Sequence, residues 1–213
     1  MAVLATGCRP DADVVQPDAI PGTLLPANFP TPVYALEANP PTREAFELGR
    51  TLFYDPRLSR TGDVSCGSCH QQAAAFANSD HRVSHGVDGR LGTRNAPALQ
   101  NLRWKQNFFW DGGPANLETL PLAALTNPVE MDETLENVLH KLNADASYQQ
   151  RFAQVYGQGP ISSYQFLRAL TQFTASLTSA NSRYDHYVRQ EAGGQLDAAE
   201  LRGRTLLTQK CTP

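Results

Sequence analysis

Two cysteines and a histidine form the most chemically specific pattern in the chain, Cys66-Gly67-Ser68-Cys69-His70. Two thiols three positions apart, followed directly by an imidazole, have the spacing of a covalent c-type haem attachment site. Each thiol can form a thioether to one vinyl group of the porphyrin, and the imidazole can bind the iron as its fixed axial ligand. The small residues between the cysteines allow the tight turn that this chemistry needs. The pattern therefore predicts one attached haem c, with His70 on its iron.

Two other uses of closely spaced cysteines compete with this interpretation. A zinc site would need a second Cys or His pair at metal-binding spacing, and none is obvious. A redox dithiol of the thioredoxin type would lie in a strand-helix-strand context, which the flanking residues do not show. The other cysteines, Cys8 and Cys211, lie near the two ends of the chain, so the four cysteines do not indicate a disulfide framework.

Length and composition place the chain among ordinary globular proteins. Its 213 residues suffice for one domain, or for one domain and part of another. A formal net charge of −3 without a basic stripe argues against a nucleic-acid partner. The sequence contains no run of about 18 apolar residues, the length at which a stretch becomes a candidate membrane-spanning helix. Because bacteria attach haem c outside the cytoplasm, the motif predicts a periplasmic protein.

The first 41 residues are expected to be a signal remnant followed by a proline-rich linker or wrapping arm. Residues 1–8 end in small residues and a cysteine, as the tail of a lipoprotein signal does. Cys8 would then carry a lipid anchor. The alternative is that residues 1–8 are a tag-like leader in which the cysteine occurs by chance.

Residues 42–192 alternate helix signals with long loops, and no strand-rich region is apparent. Thr42 is expected to cap the first helix, and Asp132 a later one. The run Ala73–Ala77 is expected to present an apolar helical side toward a porphyrin. A polar stretch over 183–195, ending in two glycines, predicts an inter-domain link.

The remaining residues, 193–213, are expected to begin a second domain. Asp197 and Glu200 form a capping box that opens a helix leading into Cys211. The residues before Cys211 echo those that precede Cys66. We therefore expect the pattern of a helix followed by a haem motif to occur twice.

Four large aromatic residues lie within seven positions, and they predict a packed aromatic wall. We expect Phe108 and Phe109 to be ordinary core residues, flanked by Trp104 and Trp110.

Several stretches together resemble the bacterial di-haem cytochrome c peroxidase family, which includes the MauG-type enzymes. They are residues 48–59, 66–70, 92–97, 109–112 and 127–131. The resemblance implies an all-α fold: a cytochrome c-like haem domain with long loops over 42–192, and a truncated second cytochrome c-like domain over 193–213.

The resemblance also implies roles for individual residues. His70 would be the proximal ligand of the peroxide-reacting haem, held by Cys66 and Cys69. Glu130 would be the distal acid–base residue, as expected of a carboxylate that handles protons beside a haem. Its position before a helix equally suits a surface glutamate. Trp110 would lie on the electron path between two haems. Asn95 would belong to a calcium site.

The chain departs from the peroxidase pattern at the distal ligand. Val87 occupies the position where peroxidases carry a removable distal His. His85 lies two positions earlier and would supply the ligand if the loop shifts, and His81 is a weaker option. Without such a ligand the haem would be five-coordinate, as in MauG-type relatives. Leu120 occupies the position where many relatives carry a glutamine in the haem pocket.

The implied activity is reduction of hydrogen peroxide to water with electrons relayed from a second haem. The partner would be a small electron-donor protein such as a cytochrome or cupredoxin, and the family pattern allows a homodimer. Two alternatives stay open. One is MauG-type oxidation of an aromatic residue of a partner protein, and the other is a non-catalytic electron-transfer cytochrome c.

Overall fold

Helices joined by long loops make up the computed structural model, which describes residue 20, residues 22–113 and residues 116–211. The α-helices are α1 (Arg43–Phe53), α2 (Cys66–Cys69), α3 (Pro121–Thr126), α4 (Leu135–Ala144), α5 (Ala146–Tyr156), α6 (Ser163–Ser176), α7 (Arg183–Arg189) and α8 (Ala198–Lys210). Single 3-10 turns cover Leu36–Ala38, Pro56–Leu58, Gln72–Ala74, Val87–Gly89 and Leu102–Trp104. Within the described ranges the strand content is limited to two isolated bridges, so the predicted all-α class is confirmed. Cys8 lies outside these ranges.

The pair α1 and α6 forms the centre of the fold. Thr42 caps α1 as expected, since its side chain accepts a 3.1 Å hydrogen bond from the amide of Ala45. A Cβ at Gly49 would lie 2.0 Å from the carbonyl oxygen of Ala169 in α6, so only glycine permits this close crossing. The two helices bury their apolar faces on each other, and α4 and α5 complete the core.

The described part of the proline-rich segment wraps the helical core as an arm. Val33 and Tyr34 donate their amide hydrogens to the carbonyl oxygen of Arg103, at 2.8 and 2.9 Å. The side chain of Gln172 in α6 donates to both oxygens of Asn39, at 2.7 and 2.8 Å. These contacts support the predicted wrapping arm. The domain boundaries at 41 and 192 stay predictions.

Two local predictions were wrong. The run Ala73–Ala77 does not form one helix, because a 3-10 turn ends at Ala74 and the next two residues, Ala75 and Phe76, adopt left-handed conformations that reverse the chain. Asp132 does not cap α4; Thr134 does, because Arg60 and Arg90 occupy the aspartate side chain.

The expected inter-domain link over 183–195 stays a prediction. Its first half forms α7, which opens with a capping box of Ser182 and Asp185. The following helix, α8, begins at its predicted capping box, ends next to Cys211 and has no buried residue. None of the helices in the described part is both long and apolar enough to cross a membrane.

Candidate haem site

The cysteine motif forms the short helix α2, which places both thiols on one side. Its N-terminus is held by Ser65, whose amide donates a 3.0 Å hydrogen bond to the hydroxyl of Ser68. Cys66 and Cys69 are three positions apart, so their side chains point to the same face of the turn. Both are free thiols. This is the arrangement that two thioether bonds to one porphyrin edge require.

The protonation of the thiols argues against the redox alternative. Burial raises the pKa of Cys66 to about 12 and also raises the pKa of Cys69. Reactive dithiols and zinc ligands use thiolates, which electropositive surroundings favour by lowering the pKa. Within the described residues no group of three or more His, Cys, Asp or Glu side chains is placed to hold a metal ion. The structure therefore gives the zinc alternative no support.

His70 follows α2 directly, and its imidazole is already oriented. Its Nδ1 atom lies 2.9 Å from the carbonyl oxygen of Phe76. Because a carbonyl oxygen only accepts, Nδ1 carries the proton and the lone pair stays on Nε2, the atom that an iron ligand needs. Burial lowers the pKa of His70, although the carbonyls of Phe76 and Pro97 oppose this, and a neutral ring is the metal-binding form. The reversed chain at Ala75 and Phe76 delivers this carbonyl.

A cluster of aromatic rings packs next to the haem motif, and its members differ from the predicted aromatic wall. Phe53 of α1, Phe76 and Phe173 of α6 form one cluster, with ring centroids 4.9 to 6.1 Å apart. Tyr54 extends the cluster to α2, where a Cβ at Gly67 would lie 2.4 Å from its ring. Gly67 is therefore required by its packing against Tyr54 as well as by the tight turn between the cysteines.

The predicted wall of four aromatic residues does not form. Phe108 is buried in the core as expected, but Phe109 is exposed, with a left-handed backbone. Trp104 packs edge-on against Phe29 of the arm, with centroids 4.9 Å apart. Trp110 is 66% exposed.

Glu130, the predicted acid–base residue, is half-buried beside the motif. Its backbone packs against Gly86, next to His85, whose carbonyl accepts a weak hydrogen bond from the Cys69 thiol, so Glu130 lies near the haem-attachment edge. Its charge contributes to the raised pKa values of Cys66 and Cys69. Burial raises the pKa of Glu130 itself, and a 2.9 Å hydrogen bond from the Asn127 amide partly offsets this. The site can thus hold a carboxyl group that exchanges a proton more readily near neutral pH.

The loop with the candidate distal residues lies against α2. The thiol of Cys69 donates a weak 3.7 Å hydrogen bond to the carbonyl oxygen of His85. The His85 ring is exposed and lies 4.3 Å from the ring of His81, centroid to centroid. Val87 is fully buried in the core, and its amide donates a 2.8 Å hydrogen bond to the carbonyl of Glu130. Leu120 packs against the edge of the core.

Asn95 and Trp110, expected at a calcium site and on an electron path, are adjacent. The indole Nε1 of Trp110 donates a 3.1 Å hydrogen bond to the backbone carbonyl of Asn95. The Asn95 amide donates to the carbonyls of Asn78 and His81, at 3.1 and 2.8 Å. The calcium role of Asn95 stays a prediction.

The residues present fit a covalently attached haem. Two free thiols share one face, a neutral imidazole presents its Nε2 atom, and a half-buried carboxylate lies beside them. Cys66 and Cys69 would hold the porphyrin, and His70 would bind its iron. The sequence predicted all three of these residues.

Comparison with protein families agrees with this site. The family model described as di-haem cytochrome c peroxidase matches residues 43–193, which is most of the chain. The chain belongs to this family. The match includes the haem motif, the loop with His85 and the segment with Glu130, and haem c is the cofactor that the family implies.

Relatives from both branches of the family are similar to the chain. The methylamine utilization protein MauG of Methylorubrum extorquens is 34% identical over 203 residues, covering 93% of this chain and 56% of that protein. The cytochrome c551 peroxidase of Nitrosomonas europaea is 31% identical over 185 residues, covering 86% of this chain and 54% of that protein. The chain thus spans about half the length of these relatives.

Solved structures confirm the fold of this family. A MauG-like protein associated with microbial copper homeostasis superposes with a TM-score of 0.76 at 38% identity, covering 86% of this chain and 53% of that one. The diheme peroxidase BthA of Burkholderia thailandensis gives a TM-score of 0.68 at 26% identity, covering 79% of this chain and 47% of that one. The predicted cytochrome c-like all-α class is therefore confirmed.

Four charged residues beside the Glu130 segment were missed by sequence reasoning. They are Arg60, Asp88, Arg90 and Asp132. Charged loop residues are common, and nothing in their spacing shows that they meet.

Proposed function

We propose that the chain is the peroxide-reacting haem domain of a di-haem cytochrome c peroxidase, which reduces hydrogen peroxide to water with electrons relayed from a second haem. The observation that carries the proposal is the position of Glu130: a carboxyl group with a raised pKa lies beside the thiols that would anchor the haem. An oxidoreductase of the peroxidase type is also what the relatives named cytochrome c peroxidase indicate.

In this reaction one hydrogen peroxide takes up two electrons and two protons, and two waters form. The haem, when attached, supplies the iron that binds peroxide and passes on the electrons. Glu130 takes a proton from one peroxide oxygen and returns it to the leaving oxygen, which general acid–base catalysis requires of one tuned group. His70 holds its place because the Phe76 carbonyl fixes its ring.

Electrons would reach this site past Trp110. Its exposed indole is held to the backbone of Asn95 by a hydrogen bond, so an extended π system is fixed at the surface. We expect the second haem and a small donor protein, such as a cytochrome or cupredoxin, on the Trp110 side.

Calcium and a homodimer stay proposals from the family resemblance, a periplasmic location stays a proposal from the haem motif, and a lipid anchor at Cys8 stays a proposal from the residues that precede it. Calcium rests on the side-chain oxygen of Asn95 alone, and no step above depends on it. Metal analysis of the dialysed longer protein tests the calcium proposal. Mass spectrometry of the mature amino terminus tests the lipid anchor.

A MauG-type activity, the oxidation of an aromatic residue on a partner protein, is the second candidate. The observation that favours it is Val87, which is buried in the core where a distal His ligand is expected. The resting absorption and electron paramagnetic resonance spectra distinguish the two. A high-spin five-coordinate haem supports the MauG-type candidate, and two low-spin six-coordinate haems contradict it.

Peroxide turnover by the longer, haem-loaded protein tests the main proposal. The measurement follows oxidation of a reduced cytochrome or dye after hydrogen peroxide is added. We expect turnover far above that of free haem. A haem-loaded protein that stays at the free-haem rate would contradict the proposal. An unchanged rate after Glu130→Gln would favour an electron-transfer cytochrome.

A further inference from the structure

Two arginines and two aspartates form a closed ring of ion pairs next to Glu130. Arg60 binds Oδ2 of Asp132 at 2.9 Å and also pairs with Asp88. Arg90 binds the same atom of Asp132 at 3.1 Å and Oδ2 of Asp88 at 3.1 Å. Each arginine therefore bridges both aspartates. We call these four residues the ionic ring.

The ionic ring joins three loops that each carry a part of the candidate site. Arg60 lies in the loop that leads into α2. Asp88 and Arg90 follow directly on the loop that carries His85. Asp132 is two residues beyond Glu130. The residues are far apart in sequence, so the ring fixes the relative positions of loops that no helix connects.

Backbone contacts repeat the same connections. The amide of Arg60 donates a 3.0 Å hydrogen bond to the carbonyl of Met131, and Arg90 donates through Nη1 to the carbonyl of Pro128 at 2.8 Å. A Cβ at Gly86 would lie 2.3 Å from the carbonyl oxygen of Val129, so the two loops touch without an intervening side chain. Hydrogen bonds from Arg90 and Arg60 therefore hold the chain on both sides of Glu130, at Pro128 before it and at Met131 after it.

The conformations of the two aspartates add a second observation. Asp88 and Asp132 have φ values of 56° and 48°, in the left-handed region that residues with a Cβ rarely adopt. Such conformations persist where surrounding contacts determine them, and they cluster at functional sites. Here each one turns a carboxylate toward the same pair of guanidinium groups.

We propose that the ionic ring positions Glu130: its four residues hold the Asn127–Asp132 turn so that the carboxylate stays at the haem-attachment edge. The inference rests on the proposed function, because Glu130 is the group on which the ring would act. The ring residues are positioning residues and do not touch the substrate. A single exposed ion pair adds little to stability, but a closed network of four charges can hold its loops more firmly than one pair.

A double-mutant cycle between Arg90→Gln and Glu130→Gln in the longer, haem-loaded protein tests this proposal. Stopped-flow spectroscopy measures the rate constant of the reaction with hydrogen peroxide, an uncharged substrate. We expect Arg90→Gln to lower the rate at least about tenfold at unchanged haem content, since small displacements of a catalytic group are costly. In the Glu130→Gln background the same change should alter the rate less than about twofold, because the effect passes through Glu130.

Two further variants separate positioning from a general structural role. Arg90→Lys keeps the charge but cannot make the forked contacts to both aspartates, so it should recover only part of the rate. Asp88→Asn breaks the ring from another corner while leaving the Arg90 contact to Pro128, and it should reproduce the loss if Arg90→Gln fails to load haem. Arg50→Gln is the matched control, because Arg50 is an exposed arginine paired only within α1, to Glu47, and should keep the parent rate.

The outcomes are distinct. If Arg90→Gln and Asp88→Asn both keep the parent rate, the positioning role is wrong while the proposed function stands. The same conclusion follows if these substitutions lower the rate by the same factor in the Glu130→Gln background as in the parent protein. If Glu130→Gln itself keeps the parent rate, the acid–base assignment fails and the positioning role fails with it.

Discussion

The hydroxyl of Tyr148 donates a 2.6 Å hydrogen bond to the carboxylate of Asp55, a residue that lies 93 positions earlier in the chain. Arg57 binds the same carboxylate through Nε and Nη2. Asp55 begins the loop that leads from α1 to the haem motif, and Tyr148 lies in α5. The contact therefore fixes the start of the site loop to the helical core.

Removal of this hydroxyl should destabilise the protein. We expect Tyr148→Phe to lower the free energy of unfolding by about 1 to 3 kcal/mol, because a buried carboxylate loses a donor. Urea unfolding monitored by circular dichroism measures the change. Tyr184→Phe, at an exposed ring, is the control and should change the free energy by less than about 0.5 kcal/mol. Equal effects of the two substitutions would contradict the prediction.

The same carboxylate should make the stability sensitive to acid. Burial raises the pKa of Asp55, but hydrogen bonds from Arg57 and Tyr148 outweigh it, so the folded-state pKa is lowered. A carboxyl group with a lowered folded-state pKa stabilises the fold above the unfolded-state pKa of about 3.9, and loses this contribution as the pH falls through the folded-state pKa. The difference between the parent protein and Tyr148→Phe should therefore stay constant above about pH 5 and shrink as the pH falls below about 4, toward the folded-state pKa. A constant difference would show that Asp55 does not titrate there.

Glu130→Gln should lower peroxide turnover by at least about 100-fold, the usual size of a lost acid–base group. The amide keeps the shape of the side chain but cannot exchange the proton. Glu136→Gln, in the exposed first turn of α4, should keep the parent activity. Haem content is measured for each variant, since a loss of haem would explain a low rate without any role for Glu130.

The activity should also fall in acid at a pH set by Glu130. Because burial raises its pKa, the acid limb of the turnover profile should lie above the ordinary glutamate value of about 4.3, and the rate should fall as the pH drops through it. Asn127→Leu removes a donor that favours the ionised carboxylate, so it should move the limb to higher pH. If the acid limb of Asn127→Leu lies at the same pH as that of the parent protein, a group other than Glu130 controls it.

Covalent haem attachment should depend on the cysteines of α2. Cys66→Ala or Cys69→Ala should each leave one thioether at most, and the double substitution should abolish haem staining of a denaturing gel for the 213-residue chain. Cys211→Ala, which lies outside the motif, should retain the stain. A stain that survives the double substitution would refute attachment at α2.

Gly86→Ala should be costly although its backbone conformation suits any residue. The new methyl group would overlap the carbonyl of Val129, so the two site loops must separate, at about 1 to 3 kcal/mol of stability. Gly203→Ala has open space in the exposed helix α8 and should instead raise stability by about 0.5 to 1 kcal/mol. Thermal unfolding of both variants gives the comparison, and a neutral Gly86→Ala would contradict the close contact.

Local signals in the sequence predicted what local chemistry decides. The caps at Thr42 and Asp197 were readable because each partner lies three residues away. The spacing of the two cysteines fixed the haem motif in the same way, since the distance between the thiols depends only on one turn.

Long-range features were not readable from the chain. The Ala73–Ala77 run has helical composition, but the need to bring the Phe76 carbonyl to His70 overrides it with two left-handed residues. Arg60 meets Asp132 across 72 positions, so no window of sequence reports the pair. Phe109 looks like a core residue by type alone, and its exposure depends on a loop conformation that composition does not set.

The arm that precedes α1 imposes an order on the making of this protein. Asn39 and Gln172 are 133 residues apart, so the arm can close over α6 only after the ribosome has synthesised both. Contacts between residues so far apart in the chain close late in folding, so we expect the arm to be among the last parts of the fold to form. The central helices α1 and α6 can then pack on each other before the segment that precedes them in the chain is in place.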